Sequence, residues 1–430
     1  MTSRTPPDEA YVWIWLPGAT APVVAGLITR EGERYIFNYG RSYLERRNAI
    51  AIFNPELPLR PGAIPPFAGL NLAGCLRDGA PDAWGRRVVI NRLFGTKGDG
   101  IDVGAVDELT FLLESGSDRI GALDFQESGS SFAPRLGEAA SLEDLLNVAK
   151  QVEDGVPVVQ ELEHAVFHGT SLGGARPKAA VETNDARFIA KFSSSTDVTN
   201  VVKAEFVAMR LAERLGLNVA TTQLKRAAGK DVLLVRRFDR IKTSGGWTRK
   251  AMVSALTLLE LDEMMGRYAS YQDLAEIVRA RFTEPKKTLR ELFGRLVFNV
   301  LCGNTDDHAR NHAAFWDGKS LTLTPAYDIC PQNRTGREAN QAMKIVGDKQ
   351  ASTLAICLEA APQFLLNGKA ASEIIEAQIV GLHEHFAQVS AEASLSTVDQ
   401  SFFWGRVFLN PYVFEGAPVN LAALQRGGSR

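Results

Sequence analysis

Cysteine is scarce in this chain: its 430 residues hold four, Cys75, Cys302, Cys330 and Cys357. No two form Cys-x-x-Cys, so neither a disulfide framework nor a structural zinc site is expected, and the usage suits a reducing cytoplasm. Net charge is nearly absent too, with 48 Lys and Arg against 50 Asp and Glu, a balance of −2. A chain without a basic field is not expected to grip nucleic acid strongly by itself. A long uninterrupted apolar run is also missing. Tyr11 to Ile28 carries no charge, but Pro17-Gly18 and Pro22 break it, and Asp8 and Glu9 precede it where a signal peptide would be basic. Val12, Ile14 and Leu16 alternate with Trp13 and Trp15, which predicts two strands around a turn and no membrane span.

What is present is enough for more than one core. A chain of this length is expected to form two or three domains, or two lobes. The division expected here is a β-rich region over 1–125, a second region over 126–245 and a helical one over 246–430. In the first, 35–39 and 49–53 read as strands, and Arg86 to Leu93 as a helix. Asp78 to Arg87 reads as a surface element with Trp84 as its anchor. Gly95 to Gly104 reads as a glycine-rich loop. Asp107 is a candidate cap for a helix to Glu114, and Leu142 to Val152 has helical spacing.

The chemistry begins at Gly169 to Lys178. Small residues let a backbone approach an anion, and Arg176 and Lys178 add positive charge. The loop does not end in Gly-Lys-Ser/Thr, which excludes a Walker A loop. Residues 179–182 and 187–192 read as a hairpin with Lys191 on its second strand. A helix over 199–215 follows, with Glu205 in its early turns. Loop, strand lysine and helix glutamate stand in the order of a kinase small lobe, where the lysine holds the α- and β-phosphates and pairs with the glutamate. Val232 to Arg240 reads as an interior strand ending in charge, Thr243 to Trp247 as a loop, and the pattern turns helical from about 251.

Thr288 and Glu291 form a capping-box signature, and Leu289, Leu292, Phe293, Leu296, Val297 and Val300 follow the helical period to Gly303. Next comes Asn304-Thr305-Asp306-Asp307-His308-Ala309-Arg310-Asn311. Asp306 stands five residues before Asn311, the spacing by which a phosphotransferase sets a base beside an acceptor hydroxyl and an amide oxygen on a metal. A hairpin turned at Asp317-Gly318 leads to Pro325-Ala326-Tyr327-Asp328, whose aspartate is placed like a second metal ligand. The residues alone leave open a plain metal site or a hydrolase pair using His308, although His308 and His312 lack a third zinc ligand at suitable spacing.

Four segments together resemble the HipA family of serine/threonine kinase toxins of bacterial type II toxin–antitoxin systems. They are Ser171 to Lys178, Arg237-Phe238-Asp239-Arg240, Asn304 to Asn311 and Pro325 to Asp328; Pro81 to Arg86 resembles the family's N-terminal region. The resemblance implies an α+β, bilobal, protein-kinase-like fold with a β-rich N-terminal region and an all-helical C-lobe. It implies ATP and Mg²⁺, with Asp306 as catalytic base and Asn311 and Asp328 as metal ligands. Gly173, Gly174, Ala175, Arg176, Pro177 and Lys178 would cover ATP. Lys191 would hold its phosphates and Glu205 would orient that lysine. Arg236, Arg237 and Phe238 would lie at the hinge, and His308, Arg310 and Tyr327 near the nucleotide. Arg236 stands where the family often has glutamate, so the contact implied there is a backbone one. Ser171 would be the self-phosphorylated serine that shuts the kinase off. The implied partners are a HipB-like helix-turn-helix antitoxin, through which DNA is met, and an aminoacyl-tRNA synthetase as substrate, whose loss arrests growth and underlies persistence. The alternatives are a small-molecule kinase and a non-catalytic co-repressor bound to an antitoxin.

Overall fold

A computed structural model describes residues 6–94, 106–172, 174–195, 197, 199–333 and 336–426. The glycine-rich segment expected over 95–104 and the candidate Gly173 lie outside the described residues. The chain divides into two compact units: Met1–Thr196 with Lys225–Val253 and Phe315–Lys319, and Asp197–Leu224 with Ser254–Ala314 and Ser320–Arg430.

In the first unit the alternating apolar run at the N-terminus does form strands. Glu9–Ile14 pairs antiparallel with Val23–Glu31 and with Leu123–Gln126, and Arg34–Tyr39 completes a four-stranded sheet. Val12 and Ile14 point into the core, and a bulge falls between Val12 and Trp13. The strand expected over 49–53 is not formed. Side chains satisfy its backbone instead. The Tyr39 hydroxyl accepts from the Ile52 N–H at 2.9 Å, the Tyr43 hydroxyl donates to the Ile50 carbonyl at 2.8 Å, and the Trp316 indole donates to the Ala51 carbonyl at 2.9 Å.

A second sheet has the order Lys178–Glu182, Arg187–Phe192, Lys230–Arg236, Thr222–Ala227. Ala190, Phe192, Val232 and Leu234 share one core with Leu145, Ala149 and Val152 of the helix Leu142–Asp154. That helix starts at a capping box of Ser141 and Asp144 and stops at Gly155, whose φ of 71° is left-handed. Asp107 caps Glu108–Glu114, accepting from the Thr110 N–H at 2.8 Å. Where a loop was expected over 243–247, Arg240–Thr243 and Gly246–Arg249 form a hairpin, turned in the two residues between them.

The helix Ala83–Phe94 sets Trp84 into the core of the first unit, so this stretch is not the surface element expected from its charge. Gly85 makes the approach possible. A Cβ there would meet the Pro81 side chain at 2.7 Å and the Thr170 and Leu172 carbonyls at 2.8 and 2.9 Å. Gly85→Val is therefore expected to cost about 1–3 kcal/mol by overpacking, seen as a lower thermal midpoint than that of an exposed-site control such as Gly368→Ala, where a Cβ meets nothing.

The second unit is built on the buried helix Pro285–Cys302. Leu289, Leu292, Phe293, Leu296, Val297 and Val300 are fully enclosed. The expected capping box at Thr288 is not used. Glu284 is the N-cap, without a side-chain bond, and Pro285 opens the helix, its fixed φ suiting the first turn. Thr288 thus sits one turn inside. Gly303 closes the helix at φ 71°. Val201–Arg214 lies along Gly368–Glu392, where Arg210 and Arg214 reach Glu392 at 3.2 and 2.9 Å. The helical reading from 251 and the all-helical description of 246–430 need correcting. Ala251–Ser254, Ala313–Trp316 and Leu321–Leu323 are strands of one sheet: the Asp317-Gly318 turn joins the last two, and sheet pairing overrides the helix preference of Ala251 and Met252. Mixed helix and sheet is the fold class observed. No described helix is long and apolar enough to cross a membrane.

Candidate active site

The candidate residues fall into two sets, one in each unit. In the second unit the buried helix Pro285–Cys302 delivers the loop 303–312. Asn304 repeats the helix end, its N–H donating to the Asn299 carbonyl at 2.9 Å and its amide to the Asn299 side chain at 3.0 Å. Two further backbone bonds anchor the loop from outside, Gln332 N–H to Gly303 O at 3.0 Å and Ala342 N–H to Thr305 O at 3.1 Å. Inside it, His308 N–H donates to Asp306 O at 2.9 Å and Asn311 N–H to His308 O at 2.8 Å. These turns leave Asp306 exposed and Asp307 buried.

The Asn311 amide nitrogen donates to the Asp306 carbonyl at 3.1 Å. That bond orients the amide and leaves its oxygen as the acceptor side. Asp328 has a φ of 58°, a left-handed backbone rarely adopted by residues other than glycine. Its segment is seated by Tyr327, whose hydroxyl donates to the Arg310 carbonyl at 2.7 Å, and by Ala326, whose N–H donates to Asn218 O at 2.7 Å. Buried Arg295 ties the same region together, donating to Asn218 O and Thr324 O at 3.1 and 2.9 Å. An amide oxygen and a carboxylate are hard oxygen donors, the kind Mg²⁺ accepts, so Asn311 and Asp328 fit that ion by donor chemistry. Arg310 forms an ion pair with Glu263, and the His308 Nδ1 is buried without a hydrogen-bond partner among the described residues. Glu205 is buried on the helix Val201–Arg214.

In the first unit Lys178 and Lys191 stand directly opposite each other across the antiparallel pair Lys178–Glu182 and Arg187–Phe192. Directly opposed residues share one face of the sheet, so both lysines stand on the same side, where their charge suits a polyanion. Gly174 has a φ of 95°, and a Cβ there would overlap the Lys178 ammonium. Arg176 is half-buried and Pro177 is buried. The Pro177 carbonyl accepts from Phe192 N–H at 3.0 Å.

Trp84 holds this loop at both ends. Its N–H donates to the Gly174 carbonyl and its indole to the Lys178 carbonyl, each at 2.9 Å. This role was missed in the sequence because its partners lie 94 residues away in the case of Lys178. Pro81 to Arg86 was the available signal, and only its packing was read.

Ser171 closes the helix Glu163–Thr170 and is buried, its hydroxyl donating to the Asp118 carbonyl at 3.3 Å. Residues 169–173 also spell G-x-S-x-G. A nucleophile elbow places that serine exposed between a strand and a following helix, whereas here a helix precedes it and the serine is enclosed. The hydrolase alternative gains nothing from it.

Arg237 is held by carboxylates of its own unit. Its guanidinium is buried on Asp239 at 2.8 Å and Asp118 at 3.0 Å, and its N–H donates to the Arg187 carbonyl. Arg240 bridges the same two carboxylates at 2.7 and 3.1 Å. Burial alone would raise the Asp239 carboxyl, but Arg237 and Arg240 outweigh it and hold it at about 2. Asp118 is held well below the usual carboxylate range, with Arg237, Arg240 and Arg187 outweighing burial. Arg236 is exposed, and Phe238 is half-buried, edge-on to Phe315 at 5.8 Å.

Two family models match this chain, the HipA N-terminal domain over residues 14–126 and the HipA-like C-terminal domain over residues 170–386. It is 26% identical over 243 residues to the serine/threonine-protein kinase toxin HipA of Shewanella oneidensis, covering 50% of this chain and 54% of that protein. It is 28% identical over 180 residues to Y4mE of Sinorhizobium fredii, covering 37% and 41%. The chain thus spans about half the length of the curated relatives it matches. Among solved structures, it is similar in fold to a chain of the Shewanella oneidensis MR-1 complex of HipA, HipB and operator DNA. The TM-score is 0.64 at 18% identity, with 96% of each chain covered.

Proposed function

Since the chain belongs to the HipA family, we propose that it is an ATP-dependent protein serine/threonine kinase of the toxin type. It transfers the γ-phosphoryl group of ATP to a serine hydroxyl. The observation that carries this reading is the loop 303–312, where an exposed Asp306 stands beside an Asn311 amide already oriented by the Asp306 carbonyl. Asp306 accepts the proton of the acceptor hydroxyl. Asn311 and Asp328 supply oxygens for Mg²⁺. That ion, when bound, neutralises phosphate charge during transfer. The opposed Lys178 and Lys191 bind phosphate oxygens, with Gly173 to Pro177 as the loop over them, and Glu205 orients Lys191. Arg236 and Phe238 contribute backbone and ring surface to the adenine, and His308, Arg310 and Tyr327 support the phosphate side. In this reading the chain is bilobal, with an N-terminal region over 1–125, a nucleotide-binding lobe over 126–245 and a catalytic lobe over 246–430.

The partner is a HipB-like helix-turn-helix antitoxin, and the substrate is an aminoacyl-tRNA synthetase of the cytoplasm. A net charge of −2 supports meeting DNA through such a partner, because phosphate neutralisation needs local positive charge. Ser171 is the self-modified residue. Enclosed against Asp118 O, it has no room for a phosphate carrying about −1.5 to −2 charges, so modification requires the segment to leave its place. Intact mass with and without Mg·ATP tests this. The wild type is expected to gain one phosphate and Ser171→Ala none. Label appearing on an alcohol or sugar and never on protein would replace this reading with a small-molecule kinase.

A further inference from the structure

Behind the exposed Asp306 lies a buried network that none of the proposed roles uses. The Tyr271 hydroxyl meets Asp307 Oδ2, His312 Nε2 lies 2.8 Å from Asp307 Oδ1, and Tyr271 and His312 approach at 3.2 Å. All three residues are buried. A carboxylate only accepts, so His312 Nε2 carries the proton and donates. Burial first, and then the Asp307 carboxylate, push the Tyr271 hydroxyl well above its ordinary value, so it stays protonated and donates too. Both Asp307 oxygens are thereby satisfied. The Tyr271 ring lies edge-on to His312 at 5.4 Å. The anchors are themselves held: Tyr271 N–H donates to Lys344 O at 2.8 Å, and His312 O accepts from Ala255 N–H at 2.7 Å.

The placement of these residues along the chain gives the network its consequence. Asp307 follows the proposed base, and His312 follows the proposed metal ligand Asn311. Between them the loop is a short 3₁₀ turn over Ala309–Asn311, a geometry with weak hydrogen bonds of its own. The Asp307–His312 contact therefore closes the loop from its buried side, beside the Asn311 amide bond to the Asp306 carbonyl, and helps set the separation of two groups five residues apart. We propose that Asp307, His312 and Tyr271 are positioning residues for phosphoryl transfer, an internal brace that fixes Asp306 relative to Asn311. This rests on the kinase reading, and its test is chosen to separate the two.

Turnover is measured per nucleotide-binding site, with sites counted by titration with a non-hydrolysable ATP analogue. Amide hydrogen exchange over 304–312 is followed without nucleotide or metal. His312→Leu removes the donor. It is expected to lower kcat by about 10²-fold with KM for ATP changed less than about twofold, the signature of misplacement rather than lost binding. His312→Gln restores a donor near the Nε2 position and should recover most of kcat. Exchange over 304–312 should speed up in His312→Leu while the helix Pro285–Cys302 stays protected. If His312→Leu fails to fold, Tyr271→Phe carries the test with an expected loss of about tenfold. Full turnover per site in His312→Leu, or His312→Gln no better than His312→Leu, overturns the proposal. An inactive wild type overturns the kinase reading instead, and the exchange measurement still decides whether the brace holds the loop.

Discussion

Asp306→Asn is expected to lower phosphoryl transfer by about 10²–10⁴-fold, the range in which a positioned general base works. The amide has nearly the same shape and cannot take a proton. Asp306 is exposed on its loop, so the change should leave the thermal midpoint close to that of the wild type. Nucleotide affinity should also persist, because the proposed phosphate contacts belong to Lys178 and Lys191. The checks are a labelled-ATP time course and an equilibrium titration with an ATP analogue. Asp307→Asn, one residue along, should behave differently. Its carboxylate is buried and accepts from Tyr271 and His312, so its loss should lower both stability and kcat. Equal turnover by Asp306→Asn and the wild type would remove Asp306 as base.

The second large effect is one of stability. Asp239→Ala removes one of the two carboxylates shared by the buried Arg237 and Arg240, leaving Asp118 to face both, and is expected to cost about 3–5 kcal/mol. The cost lies in the uncompensated charge rather than in the value of the pair. Arg237→Met in the same chain should therefore recover part of the loss, and a double-mutant cycle by denaturant unfolding measures it. The same group sets an acid limit. Asp239 is held at about 2 in the folded chain, below the ordinary carboxylate value in the unfolded one. As pH falls, the unfolded chain takes up the proton first. The contribution is thus fully present above about pH 4 and is lost as pH falls towards about 2. Asp118, depressed by the same arginines, shifts in the same direction. Asp239→Asn should flatten this part of the stability profile. An unchanged acid limit would show that the network does not govern it.

Much of the local structure was legible because local rules decided it. The alternation over Val12 to Leu16, the hairpin carrying Lys191, the Asp107 cap and the buried period ending at Gly303 each rest on neighbours within a few residues. The misses share a cause. Residues 49–53 have strand-forming side chains, but Tyr39, Tyr43 and Trp316 take their backbone groups. Thr288 and Glu291 spell a capping box, but Pro285 had already opened the helix. The Arg237 guanidinium meets Asp118, more than one hundred positions earlier, a partner no local pattern announces. Trp84 reads as a surface anchor until Gly174 and Lys178 arrive as its acceptors.

By itself the sequence determined the motif set, its order and the elements that carry it. A spacing of five between Asp306 and Asn311, a lysine on a strand and a glycine ending a buried helix are properties of adjacent residues. Tertiary structure alone decided which of two neighbouring aspartates faces out. Asp306 and Asp307 are chemically identical, and no local rule sets which of them is exposed. Asp307 turns inward because Tyr271, 36 residues before it, and His312 satisfy its carboxylate there. A buried charge is tolerated only where such partners exist, and that arrangement leaves Asp306 facing out.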